Sequence, residues 1–312
     1  MKPNPTAVLV GLGCVWGASF LFIKVILDDI GPLELVTARL ALGAAVVLAM
    51  LVVMRRPVRR DPSLFAKAAV LAIVANVIPF ALIAWAEVHI DSGVASVLNS
   101  TMPLFTALFA AAVLAEEKST AARVLGLAAG VGGVALLGGR DIVDITNANV
   151  LGELAVVLGA ACYGASAVYA RTLLREDDPL TLTGVQLCIG AIFALVLSLS
   201  VDGVPHYEAM GVKSWLALLM LGLVASGIAQ WVYLWLVDNM GSVRASLVTY
   251  VIPVVGLLLG WAVLGEHLAP NVIGGFALIV AGVAAVMRGQ APASQRDVAP
   301  PASEVIDVAP AD

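Results

Sequence analysis

Arg39 places a permanent positive charge inside an otherwise apolar stretch of this chain. A guanidinium offers a planar fork of N–H donors that can hold a carboxylate through two parallel hydrogen bonds. Burying an arginine at the centre of an apolar helix costs about 2.5–3.5 kcal/mol on insertion scales. Arg39 is therefore either part of a structural ion pair or backbone clamp, with Glu153 as one possible partner, or the binding point for a solute carboxylate.

Other polar and aromatic side chains also interrupt the apolar stretches. Inside lipid such groups should face a cavity, and Trp and Tyr can stack on a solute while offering a hydrogen bond. Taken singly, the aromatic residues are better explained by packing. The candidate solute-binding residues are Trp16, Ser19, Arg39, Asn99, Thr101, Pro103, Tyr163, Gln186, Gln230, Thr249, Tyr250 and Pro253.

Glu153 is the acidic side chain that lies deepest in any of the predicted spans described below. This depth makes it the candidate for proton coupling, although an interfacial carboxylate near the start of a helix is the simpler interpretation. Lys24 lies near the outer end of its predicted helix and is expected to extend its ammonium to the membrane interface.

The composition requires a lipid environment. Of the 312 residues, 61% are hydrophobic and 12% are charged, whereas soluble domains carry about 25% charged residues. A membrane-spanning helix needs about 20 mostly apolar residues. Ten stretches qualify, at 6–28, 32–54, 66–87, 92–115, 121–138, 149–171, 179–202, 213–237, 242–264 and 270–288.

The basic residues determine the predicted orientation of these helices. With the N-terminus inside, 13 of the 17 Lys and Arg residues lie in inner loops, tails and helix ends, while only Arg140 and Lys213 lie outside. Lys24 and Arg39 lie within helices. The excess of positive charge on one side predicts that both termini are cytoplasmic.

The chain contains an internal repeat. Residues 95–116 and 245–266 are identical at 8 of 22 positions, including Pro103/Pro253 and Glu116/Glu266. Trp16-Gly-Ala-Ser matches Tyr163-Gly-Ala-Ser at an offset of 147. Helices 1–5 therefore correspond to helices 6–10. Because five is odd, the second copy enters the membrane from the opposite side, which predicts inverted repeats.

The predicted fold is thus an all-α polytopic membrane protein of ten transmembrane helices. The expected divisions are a first repeat at 1–138, an external loop at 139–148, a second repeat at 149–288 and a disordered cytoplasmic tail at 289–312. A proline removes one backbone hydrogen bond and can kink a helix. We expect kinks at Pro103 and Pro253 to meet near the midplane and to form the central site.

Several motifs together resemble the EamA family of the drug/metabolite transporter superfamily. They are Trp16-Gly-x-x-Phe20, Pro32 with Arg39, and the two segments ending in Ala-Val-Leu-Ala-Glu116 and Ala-Val-Leu-Gly-Glu266. The resemblance covers about residues 7–288 and implies a ten-helix carrier that works by alternating access. Members of the family mostly export amino acids and other small metabolites, and some move other solutes, so the resemblance does not specify the substrate.

The expected function is secondary transport that exports a small metabolite, an amino acid or related compound, across the inner membrane. A multidrug or organic-cation exporter is the alternative, and a membrane enzyme acting on lipid-linked substrates is a third class. No Walker loop, metal-ligand cluster or His-x-x-x-His motif is present in the sequence. We therefore expect no metal, cofactor or nucleic-acid partner. The expected partners are a small-molecule solute and membrane lipid, in a monomer or homodimer.

Two further motifs each have two interpretations. Gly126-x-x-x-Gly130 allows close contact between helices of one chain or mediates dimerisation. Glu116 and Glu266 either form gate contacts or, as we favour, mark the start of the next helix, because Ser119-Thr120 and Ala269-Pro270 follow them.

The predicted topology can be tested with reporter fusions. Alkaline phosphatase, which is active only outside the cytoplasm, should be active when fused within residues 139–148 and inactive when fused after residue 288. The opposite result at either position would refute the assignment of the termini.

Overall fold

The computed structural model describes residues 4–56, 61–113, 121–138, 146–173, 178–240, 245 and 247–288, and these ranges contain helices and short connections without any strand. The predicted tail at 289–312, Glu116 and most of the predicted external loop lie outside the described residues.

Ten helical regions follow one another through these ranges, and they are numbered here in chain order. They are α1 (Pro5–Ile26), α2 (Pro32–Val53), α3 (Pro62–His89), α4 (Ser92–Val113), α5 (Ala121–Gly138), α6 (Ala148–Leu173), α7 (Pro179–Val201), α8 (Val212–Leu219, Met220–Ile228 and Ala229–Met240), α9 (Val248–Leu264) and α10 (Pro270–Arg288).

Most of these helices have the length and composition of membrane spans. Among the described residues, eight are long and apolar enough to cross a bilayer, while the apolar parts of α5 and α9 are shorter, at Val124–Leu137 and Val248–Leu264. The protein is therefore an all-helical, polytopic membrane protein. The total of ten spans and the side of the termini stay predictions.

Proline and short polar residues determine where several helices start. Asn4 caps α1, Asp61 caps α3 and Asp178 caps α7, each through a side-chain oxygen that accepts a backbone N–H near the start of the helix. In all three helices a proline follows the cap directly, where its missing N–H removes no hydrogen bond. These starts agree with the predicted spans, apart from α3, which begins at Pro62 rather than at residue 66.

Two helices contain π-helical segments that the sequence analysis did not predict. They span Ala72–Val77 in α3 and Met220–Ile228 in α8, and thus lie at matching positions of the two sequence repeats. A π segment changes the direction in which every later side chain of the helix points, and such segments are frequent at functional sites.

The two matching prolines have different effects on their helices. The α-helix of α4 is interrupted at Ser100–Thr101, directly before Pro103, because a proline lacks the N–H that would bond to the carbonyl four residues earlier. In contrast, α9 is continuous from Val248 to Leu264 with Pro253 inside it. Pro253 therefore does not interrupt the described helix, and the kink expected there stays a prediction.

The helices pack in pairs that relate the first five to the last five. α1 packs on α9 as α6 packs on α4, and α8 packs on α1 as α3 packs on α6. α2 contacts the π segment of α8, and α7 contacts the π segment of α3. Three further pairs, α2 with α7, α4 with α9 and α5 with α10, join equivalent helices of the two halves.

Glycines allow the closest of these contacts. A Cβ atom on Gly126 of α5 would lie 2.5 Å from the carbonyl oxygen of Gly282 on α10, and one on Gly130 would collide with Leu104. Both glycines of Gly126-x-x-x-Gly130 are thus covered inside the chain. The interpretation of this motif as a dimerisation surface is wrong for that reason.

A substitution at this contact should lower stability. Gly282→Ala places a methyl group against the Gly126 carbonyl and should reduce the free energy of unfolding by about 1–3 kcal/mol. The matched control is Gly11→Ala in α1, where an added Cβ would meet nothing within 4 Å. There the lower backbone entropy of alanine should raise the free energy of unfolding by about 0.5–1 kcal/mol. Denaturant unfolding in mixed micelles measures both, and equal effects would contradict the packing described.

Candidate functional site

Arg39 is buried in α2, with 8% of its surface exposed, and is held by uncharged groups. Its Nε donates a hydrogen bond of 2.9 Å to Ser226 Oγ in the π segment of α8. Its guanidinium carbon lies 3.7 Å from the centre of the Phe80 ring on α3. Such a cation–π contact contributes about 2 kcal/mol when it is desolvated. The cation is therefore positioned by a hydroxyl and a ring, neither of which neutralises its charge.

The possible ion pair between Arg39 and Glu153 is not formed. Within the described residues, the hydrogen bond of Arg39 runs through Nε, and neither terminal nitrogen has a hydrogen-bond partner. Glu87 and Tyr163 are close enough to interact with Arg39 electrostatically. Glu153 is partly buried near the start of α6, and its role in proton coupling stays a prediction.

Two aromatic residues at matching repeat positions complete this group. The Trp16 indole N–H on α1 donates to the Ala225 carbonyl, next to Ser226, at 3.0 Å. The Tyr163 ring on α6 meets Phe80 edge to face, with 6.4 Å between ring centres. The structure thus brings together three predicted site residues, Trp16, Arg39 and Tyr163, around the middle of α3 and α8. We call Trp16, Arg39, Phe80, Tyr163 and Ser226 the arginine site.

A second group of predicted residues lies between α4, α9 and α10. Thr249 and Tyr250 line a narrow crevice together with Ser100 and two valines of α10. The Tyr250 hydroxyl donates to the Met287 sulfur at 3.0 Å.

The remaining predicted residues are distributed more widely. The hydroxyls of Ser19 and Thr101 donate to carbonyls of their own helix, while the Asn99 Oδ1 atom is buried and has no partner in the described residues. Pro253 is buried inside α9. Gln186 and Gln230 are partly buried, and the structure shows no hydrogen bond from either of them to the arginine site.

The sequence analysis missed four polar or aromatic residues that are important here: Asn76, Phe80, Glu87 and Ser226. Asn76 and Ser226 lie in the two π segments at an offset of 150, the same offset that relates the two prolines. That offset was a signal for both. The Asn76 side-chain nitrogen is buried without a partner among the described residues.

Glu87 corrects the interpretation of Glu153 as the deepest acidic side chain. Glu87 is 0% exposed, and neither carboxyl oxygen has a hydrogen-bond partner in the described part of the chain. It is the last residue of the predicted span 66–87, so its position along the helix suggested exposure. Neighbouring helices cover it instead, and such coverage is not visible in a sequence.

Lys24 and Glu266 lie beside Glu87 and connect helices at the predicted outer face. The Lys24 ammonium donates to the backbone carbonyls of Glu87 and Ile90, the latter at 2.9 Å, rather than extending to the interface. The Glu266 carboxylate accepts the backbone N–H groups of Ser92 at 2.7 Å and Gly93 at 2.9 Å. Glu266 thus joins α9 to α4, which supports the gate-contact interpretation over a role in starting α10.

More hydrogen bonds join the two halves at the same face. Glu34 accepts the backbone N–H of His206 at 2.9 Å, and Asp29 accepts that of Gly211 at 2.8 Å. Hydrogen bonds from Ser214 and Gly211 lower the pKa of Asp29. Burial, assisted by the nearby Glu34, raises the pKa of Tyr207 to about 12. The predicted outer face is therefore closed by a network between the α1–α2 and α7–α8 connections.

Removing the acceptor of Arg39 should destabilise the fold. Ser226→Ala leaves the buried Nε–H without a partner, which should lower the free energy of unfolding by about 1–3 kcal/mol. The matched control is Ser200→Ala, an exposed serine whose hydroxyl donates to the Val196 carbonyl, for which we expect a change within about 0.5 kcal/mol. Equal losses in the two variants would show that Ser226 does not support Arg39.

Comparison with known proteins identifies the family. The model of the EamA-like transporter family matches residues 6–139 and 150–288. The uncharacterized transporter YoaV of Bacillus subtilis is 26% identical over 275 residues, covering 88% of this chain and 94% of YoaV. A probable terminal-alkyne amino-acid exporter of Streptantibioticus cattleyicolor is 31% identical over 283 residues, covering 88% of this chain and 90% of the exporter.

Two other proteins extend the comparison. The uncharacterized inner membrane transporter YedA of Escherichia coli K12 is 25% identical over 264 residues, covering 84% of this chain and 83% of YedA. One crystal structure has the same fold, with a TM-score of 0.64 and 22% identity over 92% of this chain and 98% of the other. Together with the helical architecture, these matches show that the chain belongs to the EamA-like transporter family and is a transporter rather than an enzyme.

Proposed function

We propose that this protein is a secondary transporter that exports a small metabolite bearing a carboxylate, namely an amino acid or a related compound. The observation that carries the proposal is the arginine site. Arg39 is buried between the two halves, its partners are uncharged, and the terminal nitrogens of its fork are not hydrogen-bonded to any described residue. A solute carboxylate would supply two charge-assisted hydrogen bonds there.

The chemistry of the surrounding residues fits such a solute. Trp16 and Tyr163 offer aromatic surface on either half, and the unpartnered amide of Asn76 can bond to a polar group. A relative named as a probable amino-acid exporter supports the same class of solute. A positively charged site argues against the alternative of an organic-cation exporter.

The proposed mechanism is alternating access between two inverted repeats, residues 1–138 and 149–288. The paired helix contacts support this arrangement, because the contacts of α1 with α9 and α8, and of α2 with the π segment of α8, each have a counterpart after the halves are exchanged. The separate family matches to the two halves support it as well. We place ten helices in the inner membrane with both termini in the cytoplasm, and the central site at the arginine site, with the crevice near Thr249 and Tyr250 as its extension.

Arg39→Lys tests the site because lysine keeps the charge and loses the fork. Proteoliposomes would be loaded with a mixture of proteinogenic amino acids and L-propargylglycine, a terminal-alkyne amino acid, and efflux would be followed by mass spectrometry. Losing a charged hydrogen bond costs about 1.5–3 kcal/mol, so the apparent affinity for the exported compound should fall roughly 10- to 100-fold.

The matched control is Arg56→Lys. Arg56 pairs with Asp178 at 3.7 Å, with both side chains substantially exposed, and such surface pairs contribute little. Efflux by this variant should equal that of the wild type. Equal efflux by Arg39→Lys, with normal folding confirmed by gel filtration, would contradict the proposed role of Arg39.

A further inference from the structure

Glu87 is a buried carboxyl group that is not part of the proposed solute site. The structure surrounds it on several sides: Lys24 on α1, Arg39 on α2 and Glu266 after α9 interact with it electrostatically. α6 packs along the same segment of α3 and carries Glu153 and Tyr163. Asp91 lies nearby and interacts electrostatically with Glu266, Lys24 and His267.

None of these groups compensates a charge on Glu87 directly. Its side chain is fully buried, and neither oxygen accepts a hydrogen bond from the described residues. The Lys24 ammonium donates to the main-chain oxygens of Glu87 and Ile90 instead. An ionised carboxylate without hydrogen bonds costs several kcal/mol in such a place, whereas the neutral acid is far less costly to bury.

The cover over Glu87 belongs to the contact between the two halves. Glu266 of the second half holds the first two N–H groups of α4 in the first half, and the Ser92 side chain beneath this contact is 0% exposed. If the halves separate at this face, water reaches Glu87, and the Lys24 ammonium, which lies in the same half and beside Glu87, can pair with its carboxylate. The two states of the face therefore differ in how well they accommodate a proton on Glu87.

We propose that Glu87 is a proton-binding site that controls the gate formed by Glu266, Ser92 and Gly93. With the gate closed, Glu87 carries the proton. When the gate opens, the carboxyl O–H bond breaks, the proton passes to water on the opened side, and the carboxylate that remains pairs with Lys24. By linkage, acid stabilises the closed gate. This inference uses the alternating access proposed above but does not depend on the identity of the solute.

The test measures gate opening without any solute. In a background with Cys14, Cys162 and Cys188 replaced by alanine, Ser92→Cys reports opening through its reaction with a maleimide in detergent. Val204→Cys, at a position 72% exposed on the same face, corrects for the effect of pH on thiol reactivity. The corrected reaction rate of Ser92→Cys should fall on acidification by up to about tenfold per pH unit, the limit for one linked proton.

Variants assign the proton to Glu87. Adding Glu87→Gln should make the corrected rate low at every pH, because the amide imitates the protonated acid, while Glu87→Asp should keep a dependence on pH. Asp91→Asn, His267→Gln and Glu153→Gln should each keep the wild-type dependence. A rate independent of pH in the wild-type background, or a dependence that survives Glu87→Gln, would overturn the proposal.

Infrared spectroscopy observes the proton itself. The wild-type protein at neutral pH should show the carbonyl band of a buried neutral carboxylic acid, and Glu87→Gln should remove it. If the spectrum of Glu87→Gln kept every such band of the wild type, the proposal would also be overturned. Both experiments can succeed when the efflux assay fails, or fail when it succeeds, so they separate this inference from the proposed function.

Discussion

The absence of water from the bilayer interior is the constraint on which the rest of this structure depends. A polar group there must find its partner in the protein or in a solute. Arg39 meets this requirement through the Ser226 hydroxyl and the Phe80 ring. The π segment of α8 orients the acceptor of the first contact. The Ser226 hydroxyl donates its own hydrogen to the carbonyl five residues before it, and its oxygen accepts the Arg39 N–H. The Ala225 carbonyl of the same segment accepts the Trp16 N–H. An irregular turn in one helix thus organises groups from three others.

The same constraint explains the prolines and glycines. A membrane helix must satisfy its backbone internally, so prolines that lie at the first helical position cause no loss, whereas Pro103 coincides with an interruption of α4. Without a strong hydrophobic force between helices in lipid, close packing depends on small residues. α5 and α10 accordingly meet backbone to backbone at Gly126 and Gly282.

The sequence was sufficient to predict features that depend on composition and local order, and insufficient for those that depend on coverage by neighbours. The approximate bounds of most helices followed from the apolar stretches, and Arg39 was singled out by its charge in such a stretch, whereas the start of α3 at Pro62 was missed. Phe80 could not be placed, because it follows the π segment of α3 and a helical wheel with a constant period fails beyond such a segment. Glu87 looked interfacial for the reason that it ends a span, yet Lys24 and the loop after α9 enclose it. Tertiary contacts decide its environment.

The two halves are alike in packing and unlike in charge, and this difference gives the site a direction. Arg39 corresponds to Gln186, and Ser226 corresponds to Asn76, so at the first pair of matching positions one half carries a cation and the other a neutral amide. Glu87 belongs to the same electrostatic environment as Arg39. A solute carboxylate at Arg39 and an ionised Glu87 would both be stabilised by the same cation, and each would repel the other. Binding of an anionic group therefore favours the proton on Glu87, and loss of that proton weakens the hold on the solute. Such coupling is reciprocal by thermodynamic necessity, so under the two proposals made above a bound anionic group and the closed gate stabilise each other.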